Sequence, residues 1–149
     1  MHLTDFLSPD QIVAGLSSRT KSEVLDELAL PLLHKYDYLD RQEVNSVLLS
    51  RENLGTTGIG DGVAIPHGKF ACLENILISA GLSRDGVDFA ALDHKPVYIF
   101  FLVLAPEKSA GKHLKILAFI SRLLQDHDFK DSFINAQSRD ELWNLINRV

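Results

Sequence analysis

Between Pro96 and Pro106 runs Val97-Tyr-Ile-Phe-Phe-Leu-Val-Leu104, an apolar stretch rich in β-branched and aromatic residues. A strand that shows apolar side chains to both faces must be covered on both, so this segment demands helices above and below a sheet. Asp93-His94-Lys95-Pro96 reads as the turn before it, and Pro106 ends it. Upstream, Ile76, Ile78, Ala80 and Leu82 alternate with Leu77, Ser79, Gly81 and Ser83, the period of another strand. Arg84-Asp-Gly86 reads as a turn and Val87-Asp-Phe89 as a short strand after it.

Helical patterns fill both ends of the chain. Ser8 with Pro9 predicts a short helix whose inner side holds Ile12, Val13 and Leu16. Thr20-Lys-Ser-Glu23 reads as a capping box before the stripe Val24, Leu25, Leu28, Leu32, Tyr36. Pro31 inside that stripe predicts a kink or break near Leu28–Leu30. Asp40-Arg-Gln-Glu43 opens a third helix that stops before Gly55. After the central strand, Lys112 to Gln125 carries Leu114, Leu117, Ile120 and Leu124 at helical spacing. Asp128 predicts the cap of a short helix through Phe129 and Phe133, and Ser138-Arg-Asp-Glu141 a final capping box. The expected fold is α/β: a single layered domain over residues 1–149, one sheet flanked by helices on both sides. A chain of this length buries a core without disulfides or metals, and the lone Cys72 has no internal partner.

Several function classes fall away. A net charge of −5 disfavours a nucleic-acid binder. The longest apolar run, Val97 to Ala105, is half of a membrane span. With no signal peptide visible at Met1-His-Leu-Thr-Asp, a cytoplasmic location is expected.

The chemistry concentrates in Gly55-Thr-Thr-Gly-Ile-Gly-Asp-Gly-Val-Ala-Ile-Pro-His-Gly-Lys69, which holds five of the nine glycines. Such a run brings backbone amides close to a small anion. Val63-Ala-Ile-Pro66 reads as a short strand that delivers His67 to a rim. An imidazole of reference pKa about 6.5 is there a nucleophile near neutrality. The same residues also suit a plain turn beside a packed histidine. Nucleotide loops do not fit: position 63 is Val where a third glycine is required, and Phe70 stands where a Walker loop needs Ser or Thr. Of the other histidines, His2, His34, His94 and His127 read as exposed. His113 opens the helix after the central strand and could meet His67 at one rim. Two histidines with no third ligand and no HExxH pattern argue against zinc. No G-x-S-x-G is present.

Together with Ser50-Arg-Glu-Asn53, this loop resembles the active-site signature of the IIA proteins of the bacterial phosphotransferase system. The matching class is the fructose/mannitol type, which includes the nitrogen-regulatory IIA. The resemblance extends through Pro96–Pro106 and His113-Leu-Lys-Ile-Leu-Ala-Phe-Ile-Ser-Arg-Leu-Leu124 and covers Leu7 to Ile146. It implies a mixed parallel/antiparallel sheet and a phosphohistidine carrier. His67 would accept a phosphoryl group through Nε2 from HPr or its nitrogen-branch relative, and His113 would orient or stabilise the product. Arg51, otherwise a charge answering the dipole of its helix, would neutralise phosphoryl oxygens. Thr57 and the amides of Gly58, Gly60 and Gly62 would donate to the same oxygens. Neither cofactor nor metal is implied. The onward partner is a IIB protein in a transport role or a target protein in a regulatory one. The absence of a fused IIB, IIC or HPr-like domain from these residues favours regulation. Two residues depart from the family pattern: Asp61, a carboxylate where many relatives have Asn, and Pro31.

Overall fold

The computed structural model describes residues 1–149, and in it the apolar run is β6, Val97–Pro106, the spine of a six-stranded sheet. The chain reaches it through β1 (Ile12–Val13), α1 (Lys21–Lys35), α2 (Arg41–Leu54), β2 (Gly58–Gly60), β3 (Val63–Ala64), β4 (His67–Phe70) and β5 (Leu77–Val87). It closes with α3 (Ala110–Leu123), α4 (His127–Asn135) and α5 (Arg139–Ile146). β5 lies antiparallel on one side of β6, with Ile78 opposite Val103. β3 and β4 follow one another along the other side, both parallel to β6, so that Val63 faces Ile99 and His67 faces Val103. β1 extends the sheet parallel to β5, and β2 closes the far edge antiparallel to β3.

Alternate residues of β6 serve two separate cores. Ile99, Phe101 and Val103 pack with Ile116, Ile120, Phe133, Leu142 and Ile146 of the closing helices. Phe100, Leu102 and Leu104 pack with Val24, Leu28, Leu32, Val44 and Leu48 of α1 and α2. Full burial of such a side chain stabilises by about 1.5–3 kcal/mol. The helices on both faces are therefore the cover that the strand's composition requires. The expected mixed, doubly covered sheet is what forms.

Five local expectations are corrected. Residues 8–16 do not form a helix. Pro9–Gln11 is a single 3₁₀ turn, and the chain then joins the sheet edge as β1. The buried Gln11 amide donates to the Ile78 and Phe6 carbonyls at 2.7 and 3.2 Å, and the Leu16 N–H to Leu82 O at 2.8 Å. Bonding to a neighbouring strand thus replaces the bonds of a helical turn. Secondly, Thr20 does not cap α1 with its side chain; its hydroxyl donates to the Glu23 carboxylate at 2.8 Å. Asp40 and Ser138 do accept the Glu43 and Glu141 amides as expected, at 3.0 and 3.2 Å. Thirdly, α4 starts from Asp126, whose carboxylate accepts the amides of Asp128 and Phe129.

Fourthly, α1 runs unbroken through Pro31. The proline ring removes the donor for the Glu27 carbonyl. Yet Val24, Leu25, Leu28, Ala29 and Leu32 are all buried on both sides of the lesion, and this packing outweighs the local loss. The buried Ser79 hydroxyl of β5 adds a donor at 2.8 Å to the adjacent Leu28 carbonyl. Lastly, the turn expected at 84–86 is an irregularity inside the long strand β5. Gly86 takes φ +87°, and its N–H donates to the Ser83 hydroxyl at 3.0 Å.

Gly58 is required by packing. A Cβ there would stand 2.9 Å from Ala91 Cβ and 3.0 Å from Ala91 Cα, with Phe89 beside it. Gly58→Ala is expected to lower the unfolding free energy by about 1–3 kcal/mol. Gly111→Ala, in α3 with open space at its Cβ, should instead raise it by about 0.5–1 kcal/mol. Chemical denaturation of the two variants checks both, and equal stabilities would refute the packing assignment.

Candidate functional site

Toward the C-terminal end of β6, three elements converge on one cavity of about 620 Å³. α2 contributes Val47, Ser50, Arg51 and Leu54; α3 contributes Ala110, His113, Leu114 and Leu117. Each set follows the i, i+3, i+4, i+7 spacing of one helix face. β4 lies between them with His67, Gly68 and Lys69. Gly68 lets α2 come close, since a Cβ there would sit 2.9 Å from Val47 Cγ1.

His67 is half-buried, and its Nδ1 lies 2.9 Å from the Ile65 carbonyl oxygen. A carbonyl only accepts, so Nδ1 carries the proton and Nε2 keeps its lone pair. The ring of His113 stands edge-on to it, centroids 5.4 Å apart at 77°. His113 is buried, and its Nε2 has no hydrogen-bond partner. A buried nitrogen left without a partner is costly, and here it lies beside a cavity able to hold an acceptor or donor.

Burial is the main force on both rings. It pushes the pKa of His67 below 6.5, with the charges of Arg51 and Lys69 adding to the push; the Ile65 carbonyl and the Glu52 carboxylate oppose it. His113 is driven further, from 6.5 to about 4, by burial and then by His67 and Lys69. Both imidazoles are therefore neutral near pH 7. No carboxylate lines the cavity, and its two full charges are cationic. An anion that accepts hydrogen bonds suits such a place.

Arg51 both lines the cavity and donates from Nη1 to the Gly55 carbonyl at 2.8 Å, closing the end of α2. The helix-end role and the cavity role belong to one side chain.

The glycine run does not cradle this cavity. Gly58, Gly60 and Gly62 lie in the β2–β3 hairpin, packed against Ala91, Asp93 and Tyr98. The Gly62 carbonyl accepts the Tyr98 and Ile99 amides. That is five residues back along β6 from the level of His67, roughly 16 Å at the usual strand rise. Positive φ at Gly60 and Gly62 and the tight fit of Gly58 against Ala91 build the hairpin, and none of these three glycines lines the cavity. Asp61 sits at the same turn with φ +56°, its N–H on Asp93 and its carbonyl on Lys130, and it does not meet the cavity. Thr57 is buried, and its hydroxyl is committed to Glu52. No group of three or more His, Cys, Asp or Glu side chains gathers anywhere to hold a metal. No helix is long and apolar enough to cross a membrane.

Lys69 was absent from the sequence candidates, although a strand period of two from His67 puts it on the same face. Leu54 and Leu114, 85% and 68% exposed, flank the opening as apolar rims. Helical spacing marks both: Leu54 lies three residues after Arg51, and Leu114 four after Ala110.

The chain is similar to several known proteins. Residues 5–149 match the family described as phosphoenolpyruvate-dependent sugar phosphotransferase system, EIIA 2. A nitrogen regulatory protein of Bradyrhizobium diazoefficiens is 40% identical over 147 residues, 98% of this chain and 95% of that protein. A fructose-specific EIIABC component of Bacillus subtilis is 35% identical over 148 residues; the match takes 99% of this chain but 23% of that longer protein. Among solved structures, the nitrogen regulatory protein IIA-Ntr of Neisseria meningitidis superposes with a TM-score of 0.90 at 30% identity, covering 97% of this chain and 98% of that one.

The depressed histidines make stability depend on pH. The unfolded chain binds protons at about 6.5 that the folded His113 refuses down to about 4, so stability is lost as pH falls through that window. The unfolding free energy is expected to decline from pH 6.5 to pH 5, above most carboxylate titration. His113→Leu should flatten the decline. A variant with the same slope as the parent would remove His113 as its source.

Proposed function

The chain belongs to the EIIA 2 family of the phosphoenolpyruvate-dependent sugar phosphotransferase system, and on that premise we propose that His67 Nε2 is its phosphoryl acceptor. The observation that carries this reading is the bond from Nδ1 to the Ile65 carbonyl, which leaves Nε2 unprotonated on a ring that lines a cationic cavity. The donor is a phosphohistidine on HPr or its nitrogen-branch relative. The Nε2 lone pair forms a bond to phosphorus as the donor's P–N bond breaks, and that electron pair returns to the donor imidazole. The moving group is metaphosphate-like, so catalysis consists of alignment and charge stabilisation. Arg51 and Lys69 offset the charge of the equatorial oxygens. His113 Nε2, now unpartnered, acquires one of those oxygens as a hydrogen-bond partner when that nitrogen carries the proton. Cations that depress the proton affinity of His67 also favour a phosphoryl dianion on it. Leu54 and Leu114 form the apolar rim on which a protein donor docks. No cofactor enters the transfer.

The downstream role is regulatory in this proposal: the phosphorylated and free forms are read by target proteins. Support comes from the nitrogen regulatory relative and the IIA-Ntr structure, both matched over nearly their full length. The second reading is transfer to a fructose/mannitol-type EIIB for sugar uptake, favoured by the likeness to the fructose-specific EIIABC component. Incubating the phosphorylated chain with purified EIIB separates the two, since rapid loss of label to EIIB supports transport.

His67→Ala is expected to take no label from phosphorylated HPr or its relative, and normal labelling would end the proposal. His113→Ala should label slowly or give a short-lived product. Arg51→Lys keeps the charge and loses the planar fork. It should slow transfer about tenfold, with a smaller effect on melting temperature than on rate. A large melting shift at an unchanged rate would leave Arg51 only its bond to Gly55.

A further inference from the structure

One turn face away from the cavity, α2 carries a buried charge to which the transfer step assigns no part. The Glu52 side chain is 1% exposed and pairs with Lys21 Nζ at 3.1 Å. Lys21 in turn lies over the Phe89 ring, 4.9 Å from its centroid. The Glu52 carboxylate also accepts the Thr57 N–H, at 3.1 and 3.2 Å to its two oxygens, and the Thr57 hydroxyl. Removing a carboxylate and an ammonium from water is costly even when they are paired, and an apolar pair of similar size often serves stability as well.

What the charge holds is the start of a path to the acceptor. The Thr57 carbonyl accepts the Ile65 N–H at 3.1 Å, and the Ile65 carbonyl accepts the His67 Nδ1–H at 2.9 Å. Ile65 lies in the break between β3 and β4, where Pro66 offers no N–H. Its amide is held by Thr57 and not by β6. Thr57 itself lies between α2 and β2, outside both, and its N–H and hydroxyl are tied to Glu52.

We propose that Glu52 is a positioning residue for phosphoryl transfer, fixing through Thr57 and Ile65 the ring orientation and tautomer of His67. This rests on the reading of His67 as acceptor. The carboxylate acts from behind α2 and never touches the phosphoryl group. Its negative charge also opposes the effect of burial on His67, which keeps Nε2 a better nucleophile than burial alone would leave it.

Two readouts on the same variants test this. Two-bond ¹H–¹⁵N correlation spectra report which nitrogen of His67 carries the proton in the unphosphorylated protein, and labelling by phosphorylated HPr reports the rate. Glu52→Gln should move His67 from the Nδ1–H form toward a mixture of tautomers and slow labelling about tenfold. Thr57→Ser should behave as the parent, and Thr57→Val should shift in the same direction as Glu52→Gln. If Glu52→Gln strands Lys21 and unfolds, Lys21→Met/Glu52→Gln removes both charges together and is read in its place. A folded variant with the parental tautomer overturns the proposal, whatever its rate. So does an altered tautomer with an unaltered rate. If the parent protein takes no phosphoryl group at all, the acceptor reading fails, while the tautomer spectra still decide whether Glu52 orients His67.

Discussion

The demand of β6 for cover on both faces is the constraint from which the rest of the molecule follows. From Ile99 onward its odd- and even-numbered residues feed different cores, so α1 and α2 must lie on one side of the sheet and α3 to α5 on the other. This brings the end of α2 and the start of α3 together near Val103, where β4 runs alongside. His67 is set into that meeting point by register, opposite Val103. The site is thus a product of sheet topology before it is a product of any loop.

Within the site, one backbone carbonyl sets the tautomer of His67. Ile65 O holds Nδ1 and so leaves the lone pair of Nε2 free. Burial keeps both rings neutral, and the flanking charges are cationic. A neutral nucleophile in cationic surroundings meets the two needs of a phosphoryl acceptor, a free lone pair and tolerance of the incoming anion.

The layered fold was legible because β6 is apolar at every register position, and the pair His67 and His113 because each follows a strand. The loop was legible as a place but not as a shape. Glycines signal close approach without saying to what. Gly58 approaches Ala91 and Gly62 approaches Tyr98, and only Gly68 borders the cavity. Residues 8–16 misled because Ser8-Pro9 is a helix start by local rules, whereas the Gln11 side chain and the Leu16 amide bond to β5 and its approach, residues distant in sequence. Pro31 misled for the complementary reason: a local rule gave way to tertiary burial. Glu52 carried no local signal, since Lys21 lies on another helix and Thr57 in the connection after α2.

The cavity opens across the seam between two cores that β6 keeps apart. α2 belongs to one and α3 to the other, so a protein seated over His67 would touch both halves of the molecule at once. Occupancy at that spot would add a link across the sheet to those that β3, β5 and β6 already make, since each of these strands sends residues to both cores.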